Sequence, residues 1–203
     1  MQVTHVPDAA RAAHLEEARR VLALPLSANA LRWHPFGVYA IPLARRGLDG
    51  QVWSRRLHLW HPDAEPVGER SPYGVHTHTG RARSHVLVGT LHHHLYAFAA
   101  DEDGAWQRAA LGVPEGRAAM LAHVQAPTPA ATTHELPADH PHGVTKPPGW
   151  AVSLFEQMES PGGSAFTTWR RLGGEPEEPD LRGPVPPGEV LREARALVEQ
   201  ALG

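Results

Sequence analysis

The pentapeptide Gly74-Val75-His76-Thr77-His78 puts two imidazoles one residue apart. On an extended chain alternate side chains share a face, so both rings can approach one point. Neutral imidazole nitrogen is a ligand for divalent iron, nickel, copper and zinc, and the chemistry offered here is therefore metal binding. A third donor has to arrive from a distant segment. His142, in His140-Pro141-His142-Gly143-Val144, is the first candidate, with His134 and His140 as competitors. The chain contains no cysteine. Thiolate sites, iron-sulfur clusters and disulfides are excluded, and a transition metal must rest on nitrogen and oxygen.

Fifteen histidines in 203 residues are the unusual feature of the composition. His85, His92 and His94 are further candidate ligands. His92 and His94 share one face of a strand and His93 takes the other, so at most two of the triplet can enter one site. One bulge or tight turn between residues 79 and 84 would reverse which side chains point inward, and strand parity leaves the choice open. Arg81 and Arg83, beside the two-histidine motif, are candidates to grip a substrate carboxylate through paired hydrogen bonds. The plainer alternatives are a solvent-facing histidine pair at 76 and 78, a loop histidine at 142, a hydrogen-bonded strand surface at 92 to 94, and a solvated rim or structural ion pair for the arginines. Trp33, Trp53, Trp60 and Phe36 read as core or pocket-wall residues.

The elements that must position these residues are mostly strands. Apolar residues at helical spacing over 8 to 24, with Asp8 as cap, predict a helix ended by Pro25. Between residues 31 and 172 short runs rich in aromatic and β-branched residues alternate with turn signals, among them Gly-Leu-Asp-Gly at 47 to 50. Val52, Ser54, Arg56, His58 and Trp60 alternate with Trp53, Arg55, Leu57 and Leu59, a strand with two distinct faces. A polar loop follows at 62 to 72. Three more strands lie at GVHTHTG, SHVLVGTLHHHLYAFAA and AWQRAALGV, and two others at 151 to 158 and 165 to 172. Residues 173 to 188 read as a Gly/Pro/Glu linker. Val190, Leu191, Ala194, Leu197, Val198 and Ala201 then form the apolar stripe of a closing helix at 189 to 203, a packing or homodimer element. Helices at both ends of a run of strands, without alternating strand-helix units, predict one mostly β domain: an antiparallel barrel or sandwich flanked by helices.

Bulk properties narrow the partners. Hydrophobic residues make up 41% and charged residues 20%, ordinary values for a folded domain. A net charge of −3 supplies no basic field for nucleic acid or an anionic membrane surface. No stretch reaches the roughly 20 apolar residues of a membrane span, and the first residues lack the basic-then-apolar order of a secretory signal. A cytoplasmic location and a small-molecule substrate are the expectations.

The HTH motif, Gly89 in VLVGTL and the later His-Gly-Val before an apolar strand resemble the two motifs of the cupin superfamily, over about residues 33 to 158. The segments WHPFGVYAIPL, RLHLWHP, GVHTHTGRARSHVLVGTLHHHLY and HELPADHPHGV are similar to small bacterial cupins of the cysteine dioxygenase-like group. The resemblance implies a jelly-roll barrel, or double-stranded β-helix, holding one divalent metal on His76, His78 and His142. The usual first motif carries a glutamate a few residues after its second histidine. Here Gly80, Arg81, Ala82 and Arg83 stand in that stretch. Two readings follow: a three-histidine site like that of thiol dioxygenases, or a site completed by another histidine such as His85, His92 or His94. Fe(II) is the first expectation for the metal, with Ni, Cu, Mn and Zn as alternatives. The implied activity is a mononuclear non-haem iron dioxygenase acting on a small polar or anionic substrate. A non-catalytic ligand- or metal-binding barrel and a metal-dependent isomerase or hydrolase are the competing classes.

Overall fold

The structure is a computed structural model, and it describes residues 2–25, 30–34, 36–64, 68–69, 71, 74–111, 113–159, 166–173 and 183–203. Much of the expected 173 to 188 linker, and parts of the expected loop at 62 to 72 and of the strand beginning at 165, lie outside these residues. In chain order the elements are β1 (Gln2–His5), α1 (Asp8–Leu22), β2 (Arg32–His34), β3 (Val38–Leu48), β4 (Gln51–Trp60), β5 (Val75–His76), β6 (Ala82–Val88), β7 (Thr90–Ala100), β8 (Trp106–Ala110), β9 (Val113–Pro129), β10 (Thr132–Leu136), β11 (His142–Thr145), β12 (Ala151–Met158), β13 (Thr167–Arg171) and α2 (Pro187–Leu202).

Seven strands form an open sheet in the order β1-β10-β6-β12-β4-β3-β2, and six more close on themselves in the order β11-β5-β13-β8-β9-β7. All pairings are antiparallel. The mostly β expectation with a helix at each end matches this architecture.

The seven-stranded sheet is buried on both faces. Leu57 and Leu59 of β4, Val152 and Leu154 of β12, Tyr39 and Ile41 of β3 and Leu87 of β6 pack beneath Leu15, Ala18 and Leu22 of α1 and Val190, Leu191, Ala194 and Val198 of α2. The alternate residues of the same strands, Val38, Trp60, Val86 and Ala151, face the interior with Leu91 of β7. Period-two alternation thus sends one set of side chains to the helices and the other to the cavity. The buried apolar area on the helix side anchors the sheet against α1 and α2 and so fixes the strands from which the site is built.

Several local expectations shift. Asp8 is not the cap of α1: Pro7 occupies the N-cap position without a side-chain hydrogen bond, and Asp8 sits in the first turn, where its charge favours the helix dipole. β1 precedes that helix and pairs with β10, so the N-terminal segment is not helical throughout. The single strand expected over AWQRAALGV is a hairpin that turns at Leu111 (φ 50°) into the long β9. The Asp49-Gly50 turn (φ 51° and 72°) joins β3 to β4 as its sequence suggests, because the left-handed conformation at both positions matches the twist of the flanking strands.

A candidate metal centre

β5 is only two residues long, and His76 at its end faces His142 of β11 in the hydrogen-bonded register, with Thr168 of β13 on its other side. His78 lies just beyond the strand, where the chain is held by the Thr77 amide donating to the Thr167 carbonyl at 2.9 Å. The three rings converge. Their centroids are 5.2 Å (His76 to His78), 4.5 Å (His76 to His142) and 4.7 Å (His78 to His142) apart. One ligand nitrogen from each lies within 4.8 Å of the other two, and this is the one such group of three or more among the described residues. Metal–nitrogen bonds of about 2.1 Å put two ligand nitrogens no more than about 4.2 Å apart, so the three rings lie near the spread that one ion requires.

The surroundings keep His78 and His142 neutral. Burial pushes His142 down to about 4, and His78 is held well below its ordinary value by burial first and then by the neighbouring His142 and Arg56. A neutral ring offers the lone pair a cation needs, so the donor set fits a divalent metal. His142 Nδ1 lies 3.2 Å from the His140 carbonyl, an outer contact that orients the ring with Nε2 free to coordinate. Phe36 stacks on His76 at 4.1 Å, and Phe155 lies 4.9 Å from His78.

Around the trio is a cavity of about 50 Å³ whose walls include His34, Phe36, Val38, Arg56, His58, Trp60, His93, Leu136, Val144 and Phe155. That volume holds a water or a very small ligand. A second space of about 320 Å³ shares His34, Phe36, Arg56 and His78 with the first and adds Thr79, Gln157 and Phe166, so the histidines sit behind a wider mouth. His34 is lowered to about 4 by burial and then by Arg56, and His58 to about 3 by burial, His34 and Arg56. The Phe36 amide donates to His34 Nδ1 at 3.4 Å, which leaves the His34 proton on Nε2. Arg56 has no carboxylate partner among the described residues and is the guanidinium on this cavity wall.

Arg81 and Arg83 are placed elsewhere. Both pair with Glu135, at 3.0 and 3.1 Å, and Arg83 lies over the Trp53 ring at 4.7 Å; neither lines the cavity. The other candidate ligands also separate. His85 sits on the helix side of β6, between the Thr133 hydroxyl at 2.7 Å and Glu156 at 3.2 Å. His94 and His92 project from the opposite side of β7 to the cavity, hydrogen-bonded to His123 and Gln125. His134 is fully buried and stacks on His93 at 4.1 Å, outside the trio. His140 is not a member of the cluster either.

His93, on the face of β7 opposite to the candidates His92 and His94, is the inward member of the triplet. β6 turns into β7 at Gly89 (φ 75°), where an added Cβ would collide with the Trp150 carbonyl, and this one-residue turn fixes Leu91 and His93 toward the interior. Its Nδ1 is anchored to the Thr128 hydroxyl at 3.0 Å. Arg56, His58 and His34 line the cavity without belonging to the histidine motifs. The signal for two of them was present in the alternation of β4, which puts Arg56, His58 and Trp60 on one face.

No protein-family model matches the sequence, and no curated protein matches it. Solved structures similar to the chain include oxalate decarboxylase from Bacillus subtilis (14% identity, TM-score 0.41, 73% of this chain and 31% of that one). A hypothetical protein from Leishmania major (11%, 0.41, 66% and 78%) and hydroxypropylphosphonic acid epoxidase from S. wedmorenis (15%, 0.33, 60% and 50%) are others. The chain spans about 30% of the length of the oxalate decarboxylase chains it resembles. The closed six-strand barrel, the antiparallel sheet beside it and the buried histidine trio agree with the antiparallel β architecture and the metal-ligand set expected from the sequence.

Proposed function

We propose that this chain is a metal-dependent cupin enzyme whose His76, His78 and His142 hold one divalent ion, Fe(II) first, in a reaction of dioxygen with a small anionic substrate. The observation that carries the reading is the convergence of three buried imidazoles, with no carboxylate in the cluster among the described residues, at the base of a cavity that opens outward. A three-nitrogen site leaves the ion its full charge and open positions, so when bound it supplies a Lewis-acidic, redox-active centre for substrate and oxygen.

The remaining roles belong to the chain. Arg56, on the wall shared by the inner and outer spaces, pairs with the anionic group of the substrate and replaces Arg81 and Arg83 in that task. Phe36, Trp60, Val144 and Phe155 exclude water and strengthen that attraction. His34, neutral and with its proton on Nε2, donates a hydrogen bond to a polar substrate atom. The sequence resemblance to the cysteine dioxygenase-like group makes small thiols and amino acids the first substrates to try.

The test is metal analysis of the purified protein, followed by oxygen uptake with Fe(II)-loaded protein and a panel of amino acids and thiols. Uptake that needs both iron and an anionic substrate supports the proposal. Turnover that proceeds equally without oxygen would move the protein to the isomerase or hydrolase class, and tight metal exchange with no turnover would move it to a binding role.

A further inference from the structure

The outer face of the barrel carries a second group of histidines, separate from the cavity. His92 and His94 leave β7 on this face, and His123 leaves β9, diagonal to His94 in a register that pairs His94 with Gln125 and Tyr96 with His123. His94 Nδ1 and His123 Nε2 are 2.9 Å apart, and the two rings lie nearly parallel at 9°. We propose that His94 and His123 form a surface binding site for a divalent cation that prefers square-planar or tetragonal coordination, Cu(II) or Ni(II).

Three observations converge on this assignment. The first is the distance. Two bonds of about 2.1 Å to nitrogens 2.9 Å apart enclose an angle close to 90°, the cis arrangement of a tetragonal ion, whereas a tetrahedral ion would need nitrogens about 3.4 Å apart. The second is the set of groups that hold the two rings. His94 Nε2 is 2.7 Å from the Thr145 hydroxyl on β11, which can accept the Nε2 proton and leave the Nδ1 lone pair directed at His123. Tyr96 stacks on His123 at 4.7 Å, and the Tyr96 hydroxyl in turn donates to Glu69 at 3.1 Å. Both rings are thus held in place before any ion arrives.

The third observation is the charge state. Burial, His123 and His92 all lower the proton affinity of His94, so its ring is neutral at pH 7. The site opens to solvent, which gives an ion direct entry, and the remaining coordination positions are left to water. His92 stays outside the pair, with Nδ1 bound to Gln125 at 2.8 Å.

Titration calorimetry with CuCl2 and NiCl2 tests this on three forms of the full chain: wild type, His94→Ala/His123→Ala and His76→Ala/His78→Ala. The wild type is expected to take two equivalents of Cu(II). The surface variant should lose one, and the cavity variant should keep that one, with an electron paramagnetic resonance spectrum showing two coupled nitrogens. Zn(II) should bind the cavity variant at least tenfold more weakly than Cu(II). Unfolding midpoints of the surface variant should stay at the wild-type value, because His123 is exposed and His94 only half-buried. Identical Cu(II) stoichiometry in wild type and surface variant, or no binding to the cavity variant, would overturn the proposal and leave a pair that merely shares a proton. Neither result bears on the cavity trio, whose equivalent is read separately in the surface variant.

Discussion

His142 stands directly across from His76 in the register of β11 and β5, and their rings are 4.5 Å apart although a large part of the barrel separates them in sequence. Removing either ring should therefore leave two donors that hold an ion far more weakly than three. His142→Ala and His76→Ala are each expected to lower metal affinity by more than the roughly 10–100-fold that loss of an outer-sphere partner costs. Metal content after dialysis, with circular dichroism to verify the fold, measures this. Retention of stoichiometric metal by His142→Ala would remove the third ligand from the centre.

Gly143 follows that histidine because there is no space for a side chain: an added Cβ would lie 2.7 Å from the Gly74 carbonyl. Gly143→Ala should push β11 away from the segment leading into β5. A destabilisation of about 1–3 kcal/mol is expected from the overpacking, together with weaker metal binding. Chemical denaturation of the metal-free protein isolates the first effect.

Arg56 and the Arg81/Arg83 pair should respond differently to mutation. Arg56→Met removes a charge-assisted contact worth about 1.5–3 kcal/mol, so kcat/KM for an anionic substrate should fall roughly 10- to 100-fold, mainly through KM, with metal content unchanged. Arg81→Ala and Arg83→Ala, whose partner is Glu135, should leave kcat/KM within twofold.

Acid should weaken the fold in two stages. His58 and His134 are neutral in the folded state, lowered to about 3 and about 4 mainly by burial, but titrate near 6.5 when unfolded. The unfolded chain then binds more protons below pH 6.5, and stability falls as pH drops from there toward 4 and 3. Glu156 adds a second loss. Burial opposes its charge, yet His85 and Arg55 outweigh burial and hold it at about 2, so its contribution is present above the usual carboxylate range and disappears as pH falls through about 2. Urea unfolding between pH 7 and 3 should show a steeper decline for wild type than for His58→Gln, and an unchanged slope there would contradict the neutral assignment.

Glu156 also belongs to the contact between α1 and the sheet. Arg55 pairs with Glu156 at 2.8 Å and with Glu17 of α1 at 2.6 Å. Glu156→Gln should cost about 3 kcal/mol by leaving buried charge poorly matched, and Glu156→Gln/Arg55→Met should recover part of it. A double-mutant cycle by denaturation reads the coupling.

By itself the sequence determined the donor chemistry and the local periods. The absence of cysteine restricted ligands to nitrogen and oxygen, the spacing of His76 and His78 brought two rings together, and alternation in 52 to 60 assigned Arg56, His58 and Trp60 to one face. These are short-range properties, set by side-chain type and backbone pitch. Which face became the cavity was decided only when α1 and α2 covered the other side of the sheet. The same holds for His93. Its inward direction depends on the tight turn at Gly89, and a shift of one residue there would have sent His92 and His94 inside instead. Arg81 and Arg83 stand beside Glu135 and away from the cavity because β10 pairs with β6, a pairing between segments far apart in the chain. Local pattern specifies what a strand presents, and long-range packing selects the side on which it is presented.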